Sequence, residues 1–158
     1  MKIQRKLHYK NFNEFLKLYG DLEWEDYRFM FREFLDGYKT LNKEQKIEFL
    51  EDINFNLIPS KRIKAYTNSA IRHIITNDRE FTIKDIEIFS NYFTDEYVLV
   101  DPWYPKYARG YLKIYCTQRT APEFIANNVM FGENPASVIW LEEIIWMKSL
   151  INQNFLNY

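Results

Sequence analysis

The stretch DPWYPKYARGYLKIYCT, residues 101–117, decides how this chain is read. It holds one Trp, four Tyr, two Pro and three bases. In its second half, Leu112, Ile114 and Cys116 alternate with Tyr111, Lys113 and Tyr115. That two-residue repeat is the pattern of a half-buried strand. Gly110 in mid-segment would cost a helix about 1 kcal/mol. Just upstream, YVLV at 97–100 is short, partly β-branched and bounded by charge, which is strand chemistry. The segment 97–117 is therefore expected to form a small antiparallel β-element, two strands joined by a Pro-containing loop.

The rest of the chain carries helical spacing. An N-terminal helix is expected from Asn13 to Gly20, with Gly20 as its C-terminal cap. Asp21 is expected to cap a second helix. In it Trp24, Tyr27, Phe31, Phe34, Leu35 and Tyr38 recur every three or four residues, and Gly37 marks the end. Asn42 with Gln45, and Thr82 with Asp85, have the spacing of capping boxes. Between them Ser60 is placed to cap a helix near 61–76. Thr120 with Glu123 suggests another capping box. Asn134-Pro135 opens a last helix over about 135–152, with two adjoining apolar stripes. The expected fold class is mainly α: a single compact domain, 1–158, of six or seven helices with the small β-element near 97–117.

Bulk properties bound the function. A chain of 158 residues with 47% apolar and 27% charged residues is ordinary for one soluble domain and needs no disulfide or metal to fold. The aromatic share of 18%, with twelve Tyr and thirteen Phe, is high. Abundant Ile, Lys, Asn, Phe and Tyr with little Gly and Ala is the skew of an AT-rich coding sequence, pointing to a bacterium or its phage. One cysteine, Cys116, excludes an internal disulfide. The N-terminus lacks the apolar core of a secretory signal, and no run of 18 apolar residues occurs. The expected location is cytoplasmic, with no membrane contact.

Catalytic signatures are missing. His8 and His73 are far apart, and no zinc, phosphate-loop, dinucleotide or nucleophile-elbow motif is present. No catalytic residue, cofactor or metal is expected, although an enzyme with an unfamiliar site around His73 stays open. Cys116 falls on the apolar side of its segment and reads as a buried, inert thiol.

Charge is distributed in blocks, although the net charge is only −1. Residues 61–79 hold five bases and one acid, and residues 102–120 hold four bases and no acid. Trp103, Tyr104, Lys106, Tyr107, Arg109, Tyr111, Lys113 and Tyr115 thus combine flat rings with positive charge. Lys61, Arg62, Lys64 and Arg72 form a second basic set. Trp, Tyr and Arg dominate protein interfaces, and rings beside cations also suit single-stranded RNA or DNA. The leading expectation is a non-catalytic macromolecule-binding protein of the immunity, inhibitor or anti-defence kind, acting by protein–protein contact. Nucleic-acid binding through the basic-aromatic surface is the alternative. The acidic second helix, with Glu23, Asp26 and Glu33, is a further candidate face for a basic partner.

Overall fold

The computed structural model describes residues 7–106 and 108–132. Among them are seven α-helices: α1 (Phe12–Tyr19), α2 (Trp24–Tyr38), α3 (Lys43–Leu50), α4 (Lys61–Asn77), α5 (Ile83–Ile88), α6 (Tyr111–Arg119) and α7 (Pro122–Ala126). Three short 3-10 turns, at Phe55–Leu57, Ser90–Tyr92 and Asp95–Tyr97, bend the connections. The chain is mainly helical. The helix expected over 135–152 lies outside the described residues.

Local chemistry explains most helix starts. The Asn42 side chain accepts from the Gln45 N–H at 2.9 Å, and Gln45 returns the bond to the Asn42 N–H at 3.0 Å. Thr82 and Asp85 make the same reciprocal pair at the head of α5. Each box satisfies two backbone donors that a helix start leaves open. Ser60 caps α4 as expected. The first two starts are displaced by one and two residues. α1 begins at Phe12, capped by Asn11, rather than at Asn13, and α2 begins after Glu23 rather than Asp21, with no side-chain cap. Thr120 does not open α7. Its hydroxyl donates to the Cys116 carbonyl at 2.6 Å and accepts from the Gly132 N–H at 2.9 Å, so it closes α6 instead.

The core is a mesh of rings. Phe12 and Phe15 of α1 meet Phe31 and Phe34 of α2, and Phe34 stacks on Phe49 of α3 at 5.4 Å. Tyr66 of α4 joins the mesh through Phe31 and reaches Phe124 of α7. All these rings are almost fully buried. Ring pairs in such offset and edge-on arrangements gain about 0.5–1.5 kcal/mol beyond their buried area.

A polar seam runs through this apolar interior. Thr67, Asn68 and Ser69 on α4 and Asn127 after α7 are fully buried. The Asn127 amide donates to Asn68 Oδ1 at 2.9 Å and lies 2.8 Å from Ser69 Oγ. Asn68 donates to the Tyr92 carbonyl at 3.1 Å, and the Tyr27 and Thr67 hydroxyls meet at 2.6 Å. Buried polar groups need such partners, and the bonds made here restrict the packing register, although Asn127 Oδ1 itself has no partner. This seam fastens α4 to α2, to α7 and to the turn at Tyr92.

The expected antiparallel β-element over 97–117 does not form, and there is no sheet among the described residues. Tyr111–Arg119 is helix α6. The apparent alternation conceals a four-residue repeat, Leu112–Cys116–Thr120, of which Cys116 and Thr120 are buried. Gly110 stands just before the helix, where it costs no helical propensity. Its φ of +52° with ψ of −116° is open to glycine and strained for other residues. The chain at 98–103 pairs elsewhere. Leu99 N–H donates to the Asn127 carbonyl, and Trp103 forms one parallel bridge with Val129. Asn128 adds a side-chain bond to the Leu99 carbonyl at 2.8 Å. The chain after α7, not the 111–117 segment, is the partner of this stretch.

Candidate partner-binding surface

The structure separates the candidate binding residues into two groups. Trp103 is buried, at 9% exposure. Its ring meets Trp24 of α2 edge-on at 4.8 Å and Phe131 at 4.6 Å. It is thus a core residue, and the expectation that it stands free to contact a partner is corrected: Trp24 and Phe131 provide an apolar slot that outcompetes water. Tyr104 and Tyr115 are half-buried, whereas Tyr111 is 80% exposed. Tyr107 lies outside the described residues. Lys106, Arg109 and Lys113 are exposed. Tyr111, Lys113 and Tyr115 do not share a face as alternation implied. In a helix Tyr111 and Tyr115 align, while Lys113 points about 200° away from Tyr111.

Two cation–ring contacts join the basic segments. The Arg62 guanidinium, at the start of α4, lies 5.7 Å from the centre of the Trp103 ring. The Lys113 ammonium of α6 lies 5.2 Å from the centre of the neighbouring Tyr104 ring. Tyr104 is itself held to α6, its hydroxyl 3.2 Å from Thr117 Oγ1. The dipeptide Trp103-Tyr104 thereby carries one contact to a base from 61–79 and one to a base from 102–120. Such contacts gain about 0.5–1 kcal/mol at exposed sites, and they hold each cation over a defined ring. Arg62 and Lys113 are exposed, and among the described residues neither makes an ion pair.

The remaining bases divide. Lys61 is exposed beside Arg62. Lys64 is half-buried, with its ammonium 3.5 Å from Asn56 Oδ1. Arg72 sits near the far end of α4, its guanidinium 4.9 Å from the Phe93 ring centre, and its Nε has no hydrogen-bond partner. Arg72 is a full ten residues from Arg62, about 15 Å along the helix. It belongs to a different part of the surface.

The helical reading of α6 adds a residue that alternation misplaced. Ile114, expected on the buried side, is 55% exposed. It follows Tyr111 by three positions, so the two share the outer face of α6. Arg119 lies over the Tyr115 ring at 4.3 Å on the same helix. The Leu112–Cys116–Thr120 spacing was the available signal for this orientation. The Arg62–Trp103 contact had no such signal, because it joins residues 41 positions apart.

Other candidate chemistry resolves into structure. His73 Nδ1 lies 3.0 Å from Glu123 Oε2 and 3.1 Å from the Asn77 amide nitrogen, joining α4 to α7. Glu123 is largely buried and His73 partly exposed. A histidine–carboxylate pair can transfer protons, but this one sits across the junction of α4 and α7. Burial pushes the Cys116 thiol up, which keeps it protonated and a poor nucleophile. Among the described residues no cluster of His, Cys, Asp and Glu is arranged to hold a metal ion, and no helix is long and apolar enough to cross a membrane.

Set beside known proteins, the chain matches no family model, no curated protein and no solved structure.

Proposed function

We propose that this chain is a non-catalytic binding protein that docks an acidic protein partner on the ribbon running from Lys61 and Arg62, across Trp103-Tyr104, to Lys113 and the outer face of α6. The observation that carries the reading is the pair of cation–ring contacts that gathers Arg62 and Lys113 on one dipeptide. Arg109 extends the positive charge at the head of α6. Tyr111 and Ile114 supply adjacent apolar area, at 80% and 55% exposure. An exposed aliphatic residue inside a basic surface favours a protein over a nucleic acid, because Ile114 has no stacking plane to offer a base. Charge complementarity would speed encounter, and the apolar pair would supply holding contacts.

The test is capture of partners on immobilised full-length chain at moderate salt, with and without nuclease. The expected result is one protein retained in both conditions, and lost with Arg62→Glu/Lys113→Glu and with Ile114→Asp. Leu18→Asp, an exposed apolar position on α1, should leave capture intact. Capture unaffected by the ribbon variants would overturn the proposal. Nuclease-sensitive capture would favour the nucleic-acid reading. In that case binding of a labelled single strand should weaken steeply with salt, and Arg109→Ala should lower that slope by about one.

A further inference from the structure

The basic ribbon has an acidic neighbour in the same chain. Residues 80–101 hold six acids and one base. Their last stretch leads into the ribbon: the 3-10 turn Asp95–Tyr97 is followed by residues 98–101, and then by Trp103-Tyr104. Asp95, Glu96 and Asp101 are exposed. Val98 is 41% exposed and Val100 95%. Val100 therefore gains almost no burial from this chain, and only a complex could take it out of water.

The acidic stretch is tied to the elements that carry the ribbon. Tyr97 packs on Phe55 with ring centres 5.0 Å apart, and beside Phe55 the Asn56 Oδ1 lies 3.5 Å from the Lys64 ammonium of α4. One short turn thus contacts both charge blocks. Trp103 is fixed by two backbone bonds of 2.8 Å, its N–H to the Asn128 carbonyl and its carbonyl from the Met130 N–H. The junction between the acidic stretch and the ribbon is therefore set before any partner arrives, which lowers the ordering cost of binding.

The opposite charges are not paired with each other inside the fold. Among the described residues, the ion pairs between separate elements run from Lys43 to Asp85, from Lys46 to Asp78 and Glu80, and from His73 to Glu123. Arg62, Lys113, Glu96 and Asp101 enter none of them. A surface that carries both signs in succession is complementary to itself under a two-fold rotation, and such a contact closes at two copies.

We infer that the acidic protein seated on the ribbon is a second copy of this chain, related to the first by a two-fold axis near the 101–103 junction. The inference rests on the reading of the ribbon as a docking surface for an acidic protein. The acidic stretch of each copy meets Arg62 and Lys113 of the other, and Val98 and Val100 cover Tyr111 and Ile114. Charge sets the orientation, and the apolar residues supply the holding contacts.

The test is sedimentation equilibrium of the purified full chain, with two charge-reversed variants at exposed positions. One is Arg62→Glu/Lys113→Glu and the other Glu96→Lys/Asp101→Lys. The wild-type chain should form a dimer whose dissociation constant rises about tenfold or more between low salt and about 0.5 M salt. Each variant alone should be monomeric, because like charges then meet. An equimolar mixture of the two should dimerise again, since the acidic ribbon of one meets the basic stretch of the other. Val100→Asp should weaken the wild-type dimer about tenfold, and Leu18→Asp should leave it unchanged. A wild-type chain that stays monomeric up to about 1 mM, a dimer indifferent to both charge reversals, or a mixture that stays monomeric would overturn the inference. Should the monomeric chain still capture another acidic protein through Arg62 and Lys113, the second copy is ruled out and the ribbon reading stands. Loss of both self-association and ribbon-dependent capture would overturn the two together.

Discussion

In α2, Tyr27, Phe31, Phe34 and Tyr38 are spaced four, three and four residues apart, and all four are buried. In α6, Tyr111 and Tyr115 repeat the four-residue spacing, yet Tyr111 is 80% exposed and Tyr115 half-buried. Spacing alone therefore makes a ring helical without making it core. What differs is the opposite surface. The rings of α2 have rings from α1, α3 and α4 to pack against. The inner side of α6 offers Cys116 and Thr120, which are small, and these let the helix sit close while its large side chains face outward. Around α2, ring-on-ring burial builds the interior. In α6, the Tyr115 ring instead carries the Arg119 guanidinium at 4.3 Å.

The largest effect should come from the α2 side of this contrast. Phe34 contacts Phe12, Phe15, Phe31, Tyr38 and Phe49. Phe34→Ala removes a ring that is buried and meets five others, and should cost about 3–5 kcal/mol. Urea unfolding measures it, and a loss below about 1 kcal/mol would mean that the ring mesh is not the core.

Gly110→Ala probes the entry to α6. Nothing lies within 4 Å of the added Cβ, so packing is not at issue. The positive φ alone should cost about 1–3 kcal/mol. A D-alanine introduced at the same position by chemical ligation should recover that loss, since D-residues favour this region of φ and ψ. Failure of that recovery would remove backbone strain as the cause.

Alkaline pH should act on the ring mesh next. Tyr92 donates to the Leu50 carbonyl and accepts from the Ile53 N–H, and burial pushes its phenol up to about 12. Tyr9 is raised to about 12 as well, by burial first and then by Tyr19 and Glu33. An unfolded tyrosine loses its proton near pH 10. Stability is fully present below that pH and falls as pH rises toward 12, because the unfolded state releases protons first. The urea midpoint should decline through this window. Tyr92→Phe should flatten the decline, and a midpoint unchanged between pH 9 and 11.5 would contradict the burial of these phenols.

These contrasts also explain what the sequence made legible. The caps at Asn42, Ser60 and Thr82 act within three residues, so their signals are local and the elements appear where expected. The stripe of α2 spans four turns, long enough for its period to be unambiguous. The 111–117 segment covers fewer than two turns, and over that length a two-residue and a four-residue repeat share positions 112 and 116. Gly110 tilted the reading toward strand because its place just outside the helix depends on its own φ, which no neighbour dictates. For the candidate surface, the exposure of Tyr111, Lys106, Arg109 and Lys113 agrees with their residue types. The burial of Trp103 does not follow from its neighbours, because the slot is made by Trp24 and Phe131, distant in sequence. Tyr9, Tyr19 and Phe29 likewise come together around one cleft of about 510 Å³ from three separate segments, and no short motif announces it.

The smallest stability effect should come from the exposed ring of α6, and its smallness is informative. Tyr111→Ala removes a side chain that is 80% in water, so it should shift unfolding by less than about 0.5 kcal/mol. Alanine is also the better helix former, which offsets part of any lost contact. The same substitution should weaken partner capture on the ribbon, because an aromatic side chain at an interface buries area only in the complex. A ring kept for binding separates the two readouts: little change in the urea midpoint, a clear loss in capture. A ring that belongs to the fold moves them together, and a Tyr111→Ala midpoint shift comparable to that of Phe34→Ala would place α6 in the interior and withdraw Tyr111 from the binding surface.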